Sequence, residues 1–143
     1  MFDDPSEVPL QVDFVLVPEF SLMAFTSAVE PLRSANRMSG RLLYRWRILS
    51  RDGEPVQASN GIEVVAAGSI RDTDRSKVVC VVAGINVHDH VDERTVGFLR
   101  RMARQGAAVG ALCTGTHILA KAGLLDDRSC TIHWENIGGF IEE

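Results

Sequence analysis

Residues 107–123 read AAVGALCTGTHILAKAG, and this stretch decides the fold. The apolar run from Ala107 to Cys113 follows Gly106 and is too short for a helix, so it predicts a buried strand. Thr114-Gly115 turns the chain straight into THILAKAG, a helix that Gly123 stops. A buried strand feeding directly into a helix is half of a parallel βαβ unit.

Working upstream, Val78 to Ala83 (VVCVVA) is the most apolar run of the chain and predicts a strand buried on both faces. Gly84, Ile85 and Asn86 lead from it to a helix near residues 91–105. Its core stripe is Val91, Thr95, Phe98 or Leu99, and Met102, with Arg100, Arg101 and Arg104 facing water. Val12 to Val17 (VDFVLV) predicts another buried strand, ended by Pro18. The segment FSLMAFTSAVEPLRSANRMSG spaces Leu22, Phe25, Val29 and Leu32 by three and four, as a helix closed by Gly40. Pro31 fits that helix only if the main part starts near Ser27 or a kink is built in. Residues 44–50 (YRWRILS) and Gly61 to Ala66 predict strands, with RDGEP a turn between them. Downstream, LLDDR is a turn, SCTIHW a short strand and ENIGGFIEE the start of a further helix. Strands alternating with helices predict an α/β fold, a mostly parallel sheet flanked by helices on both faces. Residues 1–10 are polar, carry two prolines and predict a flexible arm ahead of the domain at 11–143.

Composition narrows the function classes. The 143 residues carry 15 Lys+Arg against 19 Asp+Glu, a net charge of −4, which argues against this chain alone gripping DNA or an anionic membrane. No apolar run reaches the ~18 residues that span a bilayer, and MFDDPSEVPLQ does not resemble a signal peptide. Cys80, Cys113 and Cys130 form no metal-ligand spacing and read as reduced, cytoplasmic thiols. No cofactor motif is present.

In a parallel sheet, ligands bind beyond the carboxyl ends of the strands. Three such ends bear chemistry: Gly84-Ile85-Asn86, Cys113-Thr114-Gly115 and His133-Trp134. Cys113 enters a tight turn at a helix N-terminus, the arrangement of a nucleophile elbow, where backbone N–H groups favour a thiolate or a bound anion. It reads equally as a small buried hydrophobe closing its strand. Glu30 offers a carboxylate to a cationic ligand, or lies solvated on its helix. His133 and Trp134 offer a proton acceptor and an aromatic wall, or a cap and a core residue. His88, Asp89 and His90 read as a solvated turn with Asp89 as helix N-cap rather than a metal site. Arg33, Arg37, Arg41 and Arg45 read as a wet face.

FSLMAFTSAVEPLRSAN, YRWRILSRDG, CTGTHILAKAGLLDDR and TIHW together resemble the N-terminal domain of AraC-family transcriptional regulators, built on the class I glutamine amidotransferase-like, PfpI-type fold. The resemblance covers nearly all of residues 10–143. It implies a flavodoxin-like effector-sensing and dimerisation domain that answers to small nitrogenous metabolites such as amino acids or quaternary amines. DNA binding would belong to a separate C-terminal helix-turn-helix domain absent from this chain. It also implies that the sensor domain continues for about 40–60 residues more, so that 143 residues are a C-terminally truncated piece. The ligand-binding residues it implies are Glu30, Ile85, Asn86, Cys113, Thr114, His133 and Trp134.

The same superfamily holds cysteine peptidases, glyoxalase-like hydratases and isonitrile hydratases. Their elbow Cys is usually followed by His or served by an early acidic residue; here Thr114 follows Cys113. Aligned on Glu30, Ala24 stands where isonitrile-hydratase-like members have Asp, with Ser27-Ala28 in place of Gly-Pro. The expectation is a non-catalytic sensor. If the chain is an enzyme, Cys113 is the nucleophile, with His133 or Glu30 as base.

Overall fold

The alternation of β-branched runs with amphipathic segments produces, in a computed structural model that describes residues 8–142, seven strands and five helices. In chain order they are β1 (Leu10–Leu16), α1 (Leu22–Ser39), β2 (Tyr44–Ser50), β3 (Val56–Gln57), β4 (Glu63–Val64), β5 (Gly68–Ser69), β6 (Val78–Val82), α2 (Val87–His90), α3 (Glu93–Arg104), β7 (Ala108–Leu112), α4 (Gly115–Lys121) and α5 (Ile137–Glu142). A 3-10 turn at Trp134–Asn136 precedes α5. The main sheet is parallel, in the order β5-β2-β1-β6-β7. β1 registers Val12 on Val78 and Leu16 on Val82, and β6 registers Val82 on Leu112.

Both faces of the central strands are covered, which is why they read as continuous apolar runs. Val15, Val17, Val79, Val81 and Ala83 pack with Phe98, Leu99 and Met102 of α3 and Ile118 and Leu119 of α4. Val12, Phe14, Leu16 and Val82 pack on the opposite face with Phe20 and Phe25. Phe25 meets Phe14 and Phe20 edge-on, at 5.5 and 6.0 Å between ring centroids. Each such large side chain contributes about 1.5–3 kcal/mol on burial. One polar residue interrupts β1. Asp13 is fully buried, opposite Arg47 in the register, and accepts from its Nε and Nη2 at 3.0 and 2.7 Å. Gln11 Nε2 adds a third bond at 3.2 Å. A carboxylate taken out of water at this depth is tolerable only when paired in this way.

Helix α1 starts at Leu22, not near Ser27, because Ser21 Oγ accepts from the Ala24 N–H at 3.2 Å and caps it there. Pro31 lies inside the helix. It removes the donor for the Ser27 carbonyl, and both residues are exposed, so water can take its place. Helix α3 is capped by Asp92, which accepts from the N–H groups of Arg94 and Thr95; Asp89 lies in α2 instead. Arg100 and Arg101 are exposed yet engaged, Arg100 with the carbonyls of Ala122 and Lys121 at the end of α4 and Arg101 with Thr73.

Two expected elements differ, and one strand is new. Of Gly61–Ala66 only Glu63–Val64 is strand, and it pairs antiparallel with β3 outside the main sheet. The short β5, which the sequence does not announce, takes the place beside β2. SCTIHW is not a strand: Cys130 and Thr131 are exposed, and the segment is tied to α4 by the Thr116 hydroxyl donating to Thr131 O at 2.7 Å. Alternation alone does not make a strand without a neighbour to pair with. Of the expected arm, residues 1–7 lie outside the described residues, and Leu10 already belongs to β1. No helix among the described residues is long and apolar enough to cross a membrane.

Candidate functional site

The carboxyl edge of the sheet is where β1, β6 and β7 release their chains, and each release is conformationally tight. β7 ends at Leu112, and Cys113 directly after it holds φ +57. For a residue with a Cβ, that left-handed geometry costs about 1–2 kcal/mol. It lets the chain reverse at once into α4. Gly115 makes the reversal possible: a Cβ there would stand 2.6 Å from Val81 O, so only glycine lets α4 start against β6. Thr114, between them, is buried and donates its hydroxyl to Gly84 O at 2.6 Å. The elbow and the loop after β6 are thereby joined.

Burial pushes the Cys113 pKa up, and the nearby Glu135 carboxylate pushes it further; the Thr114 backbone N–H pulls the other way without reversing the shift. The expected stabilisation of a thiolate at this helix N-terminus is therefore outweighed. α4 has only seven residues, and desolvation of the charged form prevails. His133 Nδ1 lies 3.8 Å from Glu135 Oε2, and its ring stacks obliquely on Trp134 at 5.9 Å. Trp134 is 73% exposed, so it is not a core residue among the described residues.

β1 and β6 release their chains against each other. A Cβ on Gly84 would meet Glu19 O at 2.2 Å and Ser21 N at 2.8 Å, so the two loops touch backbone to backbone. Glu19 and Asn86 both hold positive φ, +61 and +53. Their side chains meet: Asn86 Nδ2 donates to Glu19 Oε2 at 3.0 Å, and His90 Nε2 lies 2.8 Å from the same oxygen. These bonds, His90 first and Asn86 second, hold the Glu19 carboxyl below its ordinary pKa. His88 turns the other way and packs its ring on the buried His117 at 4.2 Å. Beside His90 a cleft of about 320 Å³ opens past the ends of β1 and β2, lined by Pro18, Ser50, Asp52, Glu54, Asp89 and Asp92 among others.

The structure gathers Cys113, Thr114 and, through Gly84, the exposed Ile85 and Asn86 at this edge. His133 approaches Glu135, whose charge acts on Cys113, and Trp134 packs against the His133 ring. Glu30 lies elsewhere. It is eight residues into α1, about 12 Å along the axis from Leu22, and is held by Arg33 at 2.8 Å, which lowers its pKa. Sequence reading passed over Glu19 and Glu135. Glu19 is signalled only by standing directly after the β1 run, and Glu135 by standing one residue from His133-Trp134.

A parallel sheet covered on both faces, with a left-handed cysteine elbow at its carboxyl edge, is the class I glutamine amidotransferase-like architecture. The chain belongs to the DJ-1/PfpI family, which matches residues 11–139. It is similar to the HTH-type transcriptional regulator GbdR of Pseudomonas aeruginosa, at 42% identity over 94% of this chain and 36% of that protein. It thus spans little more than a third of that regulator's length. It is also similar to an isonitrile hydratase of Pseudomonas putida, at 31% identity over 87% of this chain and 53% of the hydratase. Among solved structures, an AraC family transcriptional regulator from Pseudomonas putida superposes with TM-score 0.82 at 31% identity, covering 94% of this chain and 72% of the other.

Proposed function

We propose that the chain is the effector-sensing and dimerisation domain of an AraC-type transcriptional regulator that works in the cytoplasm, with DNA binding left to a further domain of the full-length protein. The observation that carries this reading is an elbow kept in its left-handed geometry, with burial shifting the thiol pKa upward. A site of this shape whose burial disfavours the thiolate suits binding better than turnover. The regulator relatives support it. The effector is a small nitrogenous metabolite, an amino acid or quaternary amine. It sits over the elbow against Cys113 and Thr114, bordered by Ile85, Asn86, His133 and Trp134. The carboxylate that meets its cation is Glu19 rather than Glu30, since Glu19 stands at the carboxyl edge. Trp134 adds cation–π attraction of about 0.5–2 kcal/mol. Binding transmits a signal only if the two states of the domain bind the effector unequally. A thermal-shift series with amino acids and methylated amines tests this. Stabilisation by one class, retained in Cys113→Ala and lost in Glu19→Gln, is expected; no shift with any compound sinks the reading.

A cysteine-dependent hydratase or hydrolase is the second reading, favoured by the strained elbow with His133 and Glu135 beside it and by the hydratase relative. Turnover of isonitrile, amide or glyoxal substrates that disappears in Cys113→Ala would establish it.

A further inference from the structure

A second surface stands apart from the elbow. Helix α3 carries Arg94, Gly97, Arg101 and Arg104 at spacings of three and four, which places them in one stripe about 15 Å long. Ile70 and Arg71, from the segment after β5, form the facing wall of a groove of about 460 Å³. Arg101 is fixed in it: its Nη2 donates to Thr73 O at 3.3 Å, and its guanidinium lies 5.5 Å from the centre of the Phe98 ring. The side chains of Arg71, Arg94 and Arg104 are exposed and make no hydrogen bond or ion pair among the described residues. Glu93 is the one carboxylate in the lining. Gly97 sits mid-helix, where glycine is the poorest helix former after proline. A Cβ there would meet nothing within 4 Å, so packing inside the chain does not require it. The missing side chain leaves open space beside the helix at this point.

We propose that this groove docks an acidic segment of another polypeptide, laid along α3 with its backbone over Gly97 and its carboxylates on Arg71, Arg94 and Arg104. Guanidinium groups take carboxylates bidentately, and arginine is enriched at protein interfaces. A chain of net charge −4 gathers four cations here, against its overall sign. That same overall charge, the short stripe and Glu93 on its rim disfavour the continuous phosphate row of a nucleic acid. The proposal is independent of whether the elbow senses or catalyses.

Fluorescence anisotropy on the whole chain tests it, with a labelled peptide of alternating Glu and Ala, the same peptide with Gln for Glu, and a short DNA duplex. The Glu peptide is expected to bind and to weaken with added salt. The Gln peptide, and the Glu peptide on the triple variant Arg71→Gln, Arg94→Gln, Arg104→Gln, are expected to bind about ten-fold more weakly. Because those three side chains make no hydrogen bond or ion pair among the described residues, the triple variant should keep its thermal unfolding midpoint. No Glu-peptide binding at about 1 mM, undiminished binding by the triple variant, or tighter binding of the duplex than of the peptide each overturns the proposal.

Discussion

Thr114 donates its hydroxyl proton to the carbonyl of Gly84 across 2.6 Å, tying the residue after the elbow cysteine to the loop that leaves β6. Two strand ends from different parts of the chain thus hold one conformation. Thr114 is buried, so this bond has no water to replace it.

Thr114→Val keeps the shape and removes the donor, leaving a buried carbonyl unpaired. It should cost about 1–3 kcal/mol in urea unfolding, and Thr114→Ser should recover most of that. A valine variant as stable as the parent would show that the elbow is not held through Gly84.

The three thiols should react in an order set by burial and charge. Cys130 is exposed and Cys80 is pushed up to about 11 by burial, with Cys113 raised less. With a disulfide reagent near neutral pH, Cys130 should label first, Cys113 more slowly and Cys80 only on unfolding. Glu135→Gln should quicken Cys113, because it removes a carboxylate that disfavours the thiolate. An unchanged rate would show that Glu135 does not act on the elbow.

Glu19 makes stability pH-dependent on the acid side. Its folded pKa lies below the ordinary value of 4.5 because His90 and Asn86 favour the charged form. A depressed carboxyl contributes stability that is present above the unfolded pKa and lost as pH falls through the folded one. Thermal melts between about pH 6 and about pH 3 should therefore fall more steeply for the parent than for Glu19→Gln. Parallel curves would mean the carboxylate is not held by its two partners.

The doubly covered β6 was legible because VVCVVA is apolar without interruption. The run before Cys113 forms the expected strand, but β7 stands at the edge of the sheet and its five residues are only partly buried, which corrects the expectation of a buried strand there. The elbow was legible from Gly115 and the helix that follows it. Pro31 misled about the start of α1, since Ser21 supplies a cap that outweighs one lost backbone bond on an exposed face. SCTIHW misled in the other direction, alternating like a strand but standing with no strand beside it.

What the amino-acid sequence determined by itself is the layered α/β fold, the cysteine elbow and the family, because hydrophobic period and turn chemistry are local properties of the chain. Which carboxylate meets the loop after β6 was decided only by tertiary structure. Glu30 and Glu19 are both acidic residues near the first strand. Helix direction carries one about 12 Å along α1 onto Arg33, while the close contact at Gly84 brings the other to Asn86 and His90, more than sixty residues away in sequence. The upward shift of the thiol pKa follows the same rule, since burial and Glu135 act through space and leave no mark in the spacing of residues.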